Sequence, residues 1–367
     1  MRTRLIFCSL ALLGCLTGCA DLGYYWQSVS GHVSLIQAAR PVDDWLADVQ
    51  TPEKLKTKLA LTQKIRTFAV SELKLPDNPS YQRYADLRRK AVVWNVVAAP
   101  KLSLTLKTWC FPVAGCVGYR GYFSEAEAKL EAEGLKQQDF DVSVYGVPAY
   151  STLGWSNWAG GDPLLSTFIS YPEGELARIV FHELAHQVVY VPGDTAFNES
   201  FATAVERLGG ARWLAKHGSE AAKAEYAVFD ARRRQFRALT QATRHRLTAI
   251  YLTNKPIVGD KYDLSAIKLR AIDEFKADYQ QLKLSWGGYA GYDAWVAQAN
   301  NAAFGALAAY DDGVPQFEAL FAQQGNDWVK FYAAVKDLAA LTKEARQAAL
   351  SQYSKQYTVQ SSKENHG

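Results

Sequence analysis

The string Phe181-His182-Glu183-Leu184-Ala185-His186-Gln187 carries the spacing in this chain best suited to chemistry. Two histidines four residues apart share one face of a helix, so both imidazoles can bind one cation. Glu183, about 100° round the helix from His182, can then reach a water on that cation. Imidazole nitrogen suits zinc, and a hydrolytic zinc site needs three protein ligands plus an open position for water. The expectation is one Zn²⁺ per chain, with Glu183 as the base that activates the water. The other four histidines, His32, His217, His245 and His366, stand far off on polar or terminal segments. A carboxylate is therefore expected as the third ligand, and Asp194, Glu199 and Glu206 compete for the place.

The elements that must position these groups are partly readable. Pro172 opens a helix at its first turn, and Leu176, Ile179, Val180 and Leu184 supply its apolar packing. A strand is predicted before it, over Leu164–Ser170, at the end of a Gly-, Ser-, Trp- and Asn-rich stretch. Further upstream, helical spacing runs near 43–75 and 80–97, and Leu102, Leu104 and Leu106 alternate as a half-buried strand would. Ser124 with Glu127 forms a capping-box pattern opening a helix to about Gln138, and Asp141–Val147 alternates as a strand. From Thr195 onward the reading is almost wholly helical. Gly209-Gly210 is expected to stop one helix; others follow over Ser219–Thr253 and near 263–284, 290–310, 315–340 and 342–355. The fold class is thus α+β and helix-dominated. Residues 41–210 read as a zincin-like catalytic region with a small sheet upstream of the histidine helix, and 211–367 as a helical C-terminal region packed on it.

The N-terminus reads as a targeting segment. Arg2 and Arg4 precede an apolar run, Leu5 to Leu16, too short to span a bilayer as an ordinary helix. Residues 1–18 are expected to be a signal peptide and 19–40 a tether. With Arg2 and Arg4 gone, 39 basic residues face 37 acidic, and the formal charge falls from +4 to +2, which argues against nucleic-acid binding. Cys8 and Cys15 would leave with the signal, and Cys110 and Cys116, separated by a loop-like Phe-Pro-Val-Ala-Gly, invite a disulfide in an oxidising compartment. The charge run Arg232-Arg233-Arg234 with Arg237 reads as a solvated helix face.

Two resemblances sharpen the picture. Leu16-Thr17-Gly18-Cys19 resembles the lipobox of bacterial lipoproteins, which implies lipid on Cys19; Ala20 after it implies an outer-membrane, periplasm-facing address. Asp194-Thr-Ala-Phe-Asn198-Glu199-Ser-Phe-Ala202-Thr-Ala-Val-Glu206 resembles the ligand helix of gluzincins, particularly aminopeptidase-N-like enzymes. That resemblance implies Glu199 as third zinc ligand, with Asp194 and Glu206 as supporting carboxylates. Glu199 and Glu206 lie two turns apart on one face, so the second can hold a ligand imidazole. The connection from His186 to Glu199, twelve intervening residues, is shorter than in those enzymes, and their Gly-x-Met-Glu-Asn amine-binding segment has no counterpart. With Trp109-Cys110-Phe111-Pro112 and Tyr119-Arg120-Gly121-Tyr122-Phe123, the whole chain is similar to Gram-negative lipoproteins labelled aminopeptidases.

These readings imply a zinc peptide hydrolase of the bacterial envelope acting on peptides or proteins. The alternatives are an endopeptidase, or a non-catalytic binding or scaffold lipoprotein with a structural or lost metal. Asn198, Ser166, Thr167 and Arg120 are candidates for a substrate cleft, the last by clamping a carboxylate. Leu164–Ser170 could pair with an extended peptide. Asp162 or Glu173 could hold a substrate amine, Tyr150, Tyr171, Tyr190, Tyr289 and Tyr310 are candidates to steady the oxyanion, and Asn300-Asn301 could face the cleft.

Overall fold

Strand pairing starts from a run that is buried from Asn95 to Ala99. In a computed structural model, which describes residues 22–112, 114–253, 264–311 and 313–364, Val93–Pro100 forms the central strand β3 of an antiparallel sheet. Arg120–Tyr122 (β6) lies on one side of it and Phe140–Val147 (β7) on the other. Val96 and Ala98 pack under helix α4 (Glu125–Gln137), while Val97 and Ala99 meet Ala302 of helix α10 (Asn301–Asp311) on the opposite face. A strand buried on both faces loses its polar-apolar alternation, which is why 80–97 has the spacing of a helix yet holds strands, β3 and Arg83–Ala85 (β2). Ser124 caps α4 by accepting the Glu127 N–H.

A second small sheet orders Arg40–Pro41 (β1), β2 and Leu164–Leu165 (β8). Only two residues of the expected 164–170 strand pair, because Phe168 and Ile169 turn into the core through bonds back to the Leu165 carbonyl. Trp109–Phe111 (β4) and Gly115–Val117 (β5) form a hairpin that sets Cys110 opposite Cys116, and a disulfide joins them. The alternating leucines of 102–106 form no strand; Leu104 and Leu106 pack instead on two separate apolar clusters.

Helices make up most of the remainder. The expected tether is a helix, α1, over 22–38. The 43–75 segment divides into α2 (Val42–Ala47) and α3 (Glu53–Ser71), with Pro52 at the start of the second. Helix α5 (Glu173–Ala185) buries Leu176, Ala177, Val180, Phe181 and Leu184 against α3 and against α6 (Thr195–His217). Gly209 and Gly210 do not end α6. A Cβ at 209 would stand 2.6 Å from Leu73 Cδ1 and one at 210 would stand 2.9 Å from Arg178 Cγ, so glycine here lets neighbouring elements close on the helix.

Helices α7 (Glu220–Thr253), α8 (Leu264–Ser285), α9 (Asp293–Ala297), α11 (Val314–Gln323), α12 (Trp328–Ala339) and α13 (Lys343–Glu364) complete the chain. The helix expected over 290–310 is therefore split into α9 and α10. The one over 315–340 breaks at Gly325-Asn326, where both residues take positive φ and Asp327 caps the helix that follows. The arginine run on α7 is engaged: Arg233 pairs with Glu175, Arg234 with Asp230, and Arg232 lies over Tyr289. Phe317, Phe331 and Tyr332 join the same apolar core as Phe181 and Phe201, so the C-terminal helices pack on the histidine helix's own core. Among the described residues no helix is long and apolar enough to cross a membrane. Cys19 and the segment before it lie outside the described residues.

Candidate metal centre

The last turns of α5 and the first turns of α6 face one another, and three side chains meet between them. The Nε2 atoms of His182 and His186 stand 3.1 Å apart, and Glu199 Oε2 lies 3.3 Å from the first and 3.8 Å from the second. These are the His, Cys, Asp or Glu side chains among the described residues whose donor atoms converge as a metal site would require. Ligand bonds of about 2.0–2.1 Å at tetrahedral angles separate neighbouring donors by about 3.3 Å, close to what is seen here. Two imidazole nitrogens and one carboxylate oxygen at this separation suit a zinc ion with a fourth position free.

The surroundings set which nitrogen carries a proton. Glu206 Oε2 lies 3.0 Å from His182 Nδ1, and its other oxygen binds buried Arg178. A proton on Nδ1 leaves the Nε2 lone pair facing the cluster, the usual service of a carboxylate behind a ligand histidine. Burial opposes charge on His182, but the hydrogen bonds and charges of Glu199 and Glu206 override it and raise its pKa well above the ordinary value. His186, whose buried Nδ1 has no hydrogen-bond partner among the described residues, is lowered to about 4, chiefly by burial. Burial works against ionised Glu206, yet Arg178 and His182 hold its pKa down at about 2. Glu183 moves the other way: burial, reinforced by Glu199, Asp162 and Glu206, raises it to about 7 despite the nearby His182.

The short connection between the two helices is fastened at several points. Asn198 accepts from Val191 N–H and donates to Val191 C=O, both at 2.8 Å, so this candidate cleft residue is occupied in holding the backbone. Gly193 N–H and Tyr190 OH both donate to Ala114 C=O in the disulfide hairpin. Asp194 caps α6 through Phe197 N–H and takes two bonds from Arg346 of α13, at 3.0 and 2.8 Å. Asp194 therefore supports the ligand helix from its end, away from the imidazoles.

Other candidates fall elsewhere. Arg120 lies on the α4 side of the sheet, over the Tyr24 ring at 4.1 Å and 3.6 Å from Glu131, because its neighbour Tyr119 takes the opposite face. Ser166 Oγ accepts from Leu87 N–H, and Thr167 donates to Pro148 C=O. Asp162 accepts from Thr152 N and Oγ1, from Ser156 Oγ and from Gln187 Nε2, while Glu173 accepts from Trp213 Nε1. Asn300 and Asn301 bind carbonyls of Val142, Pro100 and Lys101. Of the candidate tyrosines, Tyr150 meets His32 Nδ1, Tyr171 feels Glu175, Tyr289 lies under Arg232, and the side chain of Tyr310 lies outside the described residues.

Tyr190 does belong near the cluster. Burial raises its pKa first and the Glu199 charge adds to the rise, and the same two causes act on Tyr119 and Tyr145. Sequence reasoning named Tyr119 only as part of the Tyr119-Arg120-Gly121-Tyr122 segment that could line a cleft, and missed Tyr145. The alternation of the Asp141–Val147 strand was the signal for the second, which pairs with Asn95. Tyr81, also missed, is buried at positive φ, and its hydroxyl has no hydrogen-bond partner among the described residues; Glu183 is the charge that acts on it most.

A helix-dominated α+β chain thus brings two helices together on a cluster that could hold a metal ion. The family described as "Putative aminopeptidase" matches residues 23–350, and the chain belongs to that family. Comparison with curated proteins and with solved structures returns no match.

Proposed function

We propose that the chain is a zinc-dependent peptide hydrolase, held at the bacterial envelope by lipid on Cys19 and facing the periplasm. The observation that carries the reading is the convergence of His182 Nε2, His186 Nε2 and Glu199 Oε2 at 3.1, 3.3 and 3.8 Å. Family membership supports peptide substrates. Zinc held by these three residues would supply Lewis-acid polarisation of water and of the peptide carbonyl. Glu183 takes a proton from the attacking water on its carboxylate and delivers it to the departing amine nitrogen. Glu206 keeps the His182 proton on Nδ1 and fixes that ring against rotation. Tyr119, which feels the Glu199 charge, gives that side of the site a hydroxyl able to steady negative charge on a carbonyl oxygen, while those of Tyr190 and Tyr145 are engaged by Ala114 C=O and Asn95.

An aminopeptidase also needs an acid for the substrate's free amine. Asp162 and Glu173 are both committed to other bonds, which favours cleavage inside a peptide as the second reading. The test is metal analysis coupled to a peptide library with free and blocked N-termini. One zinc per chain is expected, with hydrolysis lost on chelation and restored by zinc. Glu183→Gln should keep the metal and lose on the order of 10²–10⁴-fold in turnover. Full activity in that variant removes Glu183 as the base, and tightly held metal without hydrolysis of any peptide favours a scaffold role.

A further inference from the structure

Helix α1 has two unlike faces. Inward, Gln27 accepts from Phe123 N–H at 3.0 Å and donates to Gly121 C=O at 3.3 Å, Gly31 lies against the Phe123 ring, and Leu35 is buried. Outward, Leu22, Tyr25, Trp26, Val29 and Val33 stand 3, 4, 7 and 11 residues from the first, the helical repeat of a single exposed stripe, with Leu22 71% and Trp26 73% accessible. Residues 22–38 contain no Asp, Glu, Lys or Arg. Large apolar side chains on an uncharged helix make a poor solvent face.

A second exposed aromatic group is tied to the C-terminal end of α1. Arg83 donates to the carbonyls of Ile36 and Ala39 at the end of α1 and, through Nη1, to Ala159 C=O at 3.2 Å. Next to Ala159 stands Trp158, 89% accessible, and Trp155 on the same loop is 67% accessible. Buried Asp162 pins that loop through Thr152 and Ser156, so both indoles are held on an anchored backbone. Indole rings favour the headgroup level of a bilayer, and amphipathic helices lie in that plane.

We propose that the α1 stripe together with Trp155 and Trp158 is a membrane-docking face that seats in the headgroup region of a bilayer. The chain just before α1 selects a bilayer as occupant. Cys19, closing the lipobox-like Leu16-Thr17-Gly18-Cys19, precedes Leu22 by three residues, at most about 10 Å of extended chain. The proposal rests on the lipid-anchor reading to that extent: lipid on Cys19 brings the start of the stripe to the membrane surface, and the stripe supplies a second attachment that fixes orientation. Asp162 also accepts from Gln187, the residue after His186, so the docked loop is tied to the end of the histidine helix.

The test uses the full-length protein purified from envelopes and reconstituted in vesicles of phosphatidylethanolamine and phosphatidylglycerol, with and without bromine on the acyl chains. Brominated lipid is expected to quench tryptophan fluorescence in the native protein. The quenching should be lost in W26S/W155S/W158S and reduced in V29S/V33S, which keeps all three indoles. Peptide hydrolysis in detergent should be unchanged in both variants. Equal fluorescence in the two vesicles overturns the proposal, as does a doubled mass under non-denaturing conditions that is lost in V29S/V33S, which would make the face a contact between copies. Intact mass separates the two readings: a mature chain without lipid on Cys19 ends the anchor reading, and quenching by added vesicles then judges the docking face by itself.

Discussion

Replacing Glu206 with Gln tests how the second carboxylate serves the first histidine. The side chain keeps its shape, but one of its two ends becomes an amide donor, and both ends now face donors: His182 Nδ1 at 3.0 Å and the Arg178 guanidinium. With the amide oxygen toward His182, Arg178 faces an N–H₂ group. With the amide turned round, the Nδ1 proton has no acceptor and the imidazole is driven to its other tautomer, which places hydrogen on the Nε2 that faces Glu199 and His186. Loss of such a partner typically weakens metal affinity by about 10–100-fold, or about 1.4–2.7 kcal/mol. A separate cost falls on the fold, because Arg178 is buried and its next carboxylate, Asp230, is 3.9 Å away; breaking a buried pair costs about 3–5 kcal/mol. The two costs are read apart, zinc affinity by competition with a chelator of known strength and stability by denaturant unfolding of metal-free protein. Zinc affinity within twofold of the native value, in a variant that still folds, would refute the orienting role of Glu206.

Other expectations follow from the fastening of the connector. Asn198→Ala strips two bonds from Val191 and should cost about 1–3 kcal/mol, read as a lower denaturant midpoint with an unchanged m-value. Arg346→Met leaves buried Asp194 uncompensated and should destabilise by about 3–5 kcal/mol, while Asp194→Asn combined with Arg346→Met should recover part of that loss. A melting temperature unmoved by Arg346→Met would remove this pair from the account. Cys110→Ser with Cys116→Ser opens a small loop worth about 2 kcal/mol, so the melting temperature should fall without reductant and no longer respond to it.

Legibility tracked the sequence distance over which a feature is decided. The pairing of His182 with His186, and the position of Glu183 beside them, follow from helical periodicity within one turn, and the Ser124 cap is equally local. Glu199 and Glu206 needed only a second helix and the resemblance of its residues. Asp194 was read in the same stretch, but its partner Arg346 lies 152 residues away, and nothing near Asp194 announces it. Arg120 and Tyr119 illustrate a parity error: one residue decides which face of a sheet is reached, and that is set by pairing of β6 with β3 rather than by the segment itself. Gly209-Gly210 was legible as glycine but not as close packing, because the reason for it, Leu73 and the Arg178 stem, belongs to other elements. Segment 80–97 failed for a related cause, since burial on both faces removes the alternation that marks a strand.

The Asp194–Arg346 pair also limits how the gene can be shortened. A fragment ending near residue 210 would retain both histidines, Glu183, Glu199 and Glu206, and on paper it would be a complete catalytic unit. It would also strand one carboxylate at the head of the ligand helix and bare the aromatic side of that helix, where Phe197 and Phe201 meet Phe317. Such a fragment should be recovered as insoluble material, and the helices that carry Phe317 and Arg346 are better regarded as a buttress of α6 than as an appendage to it.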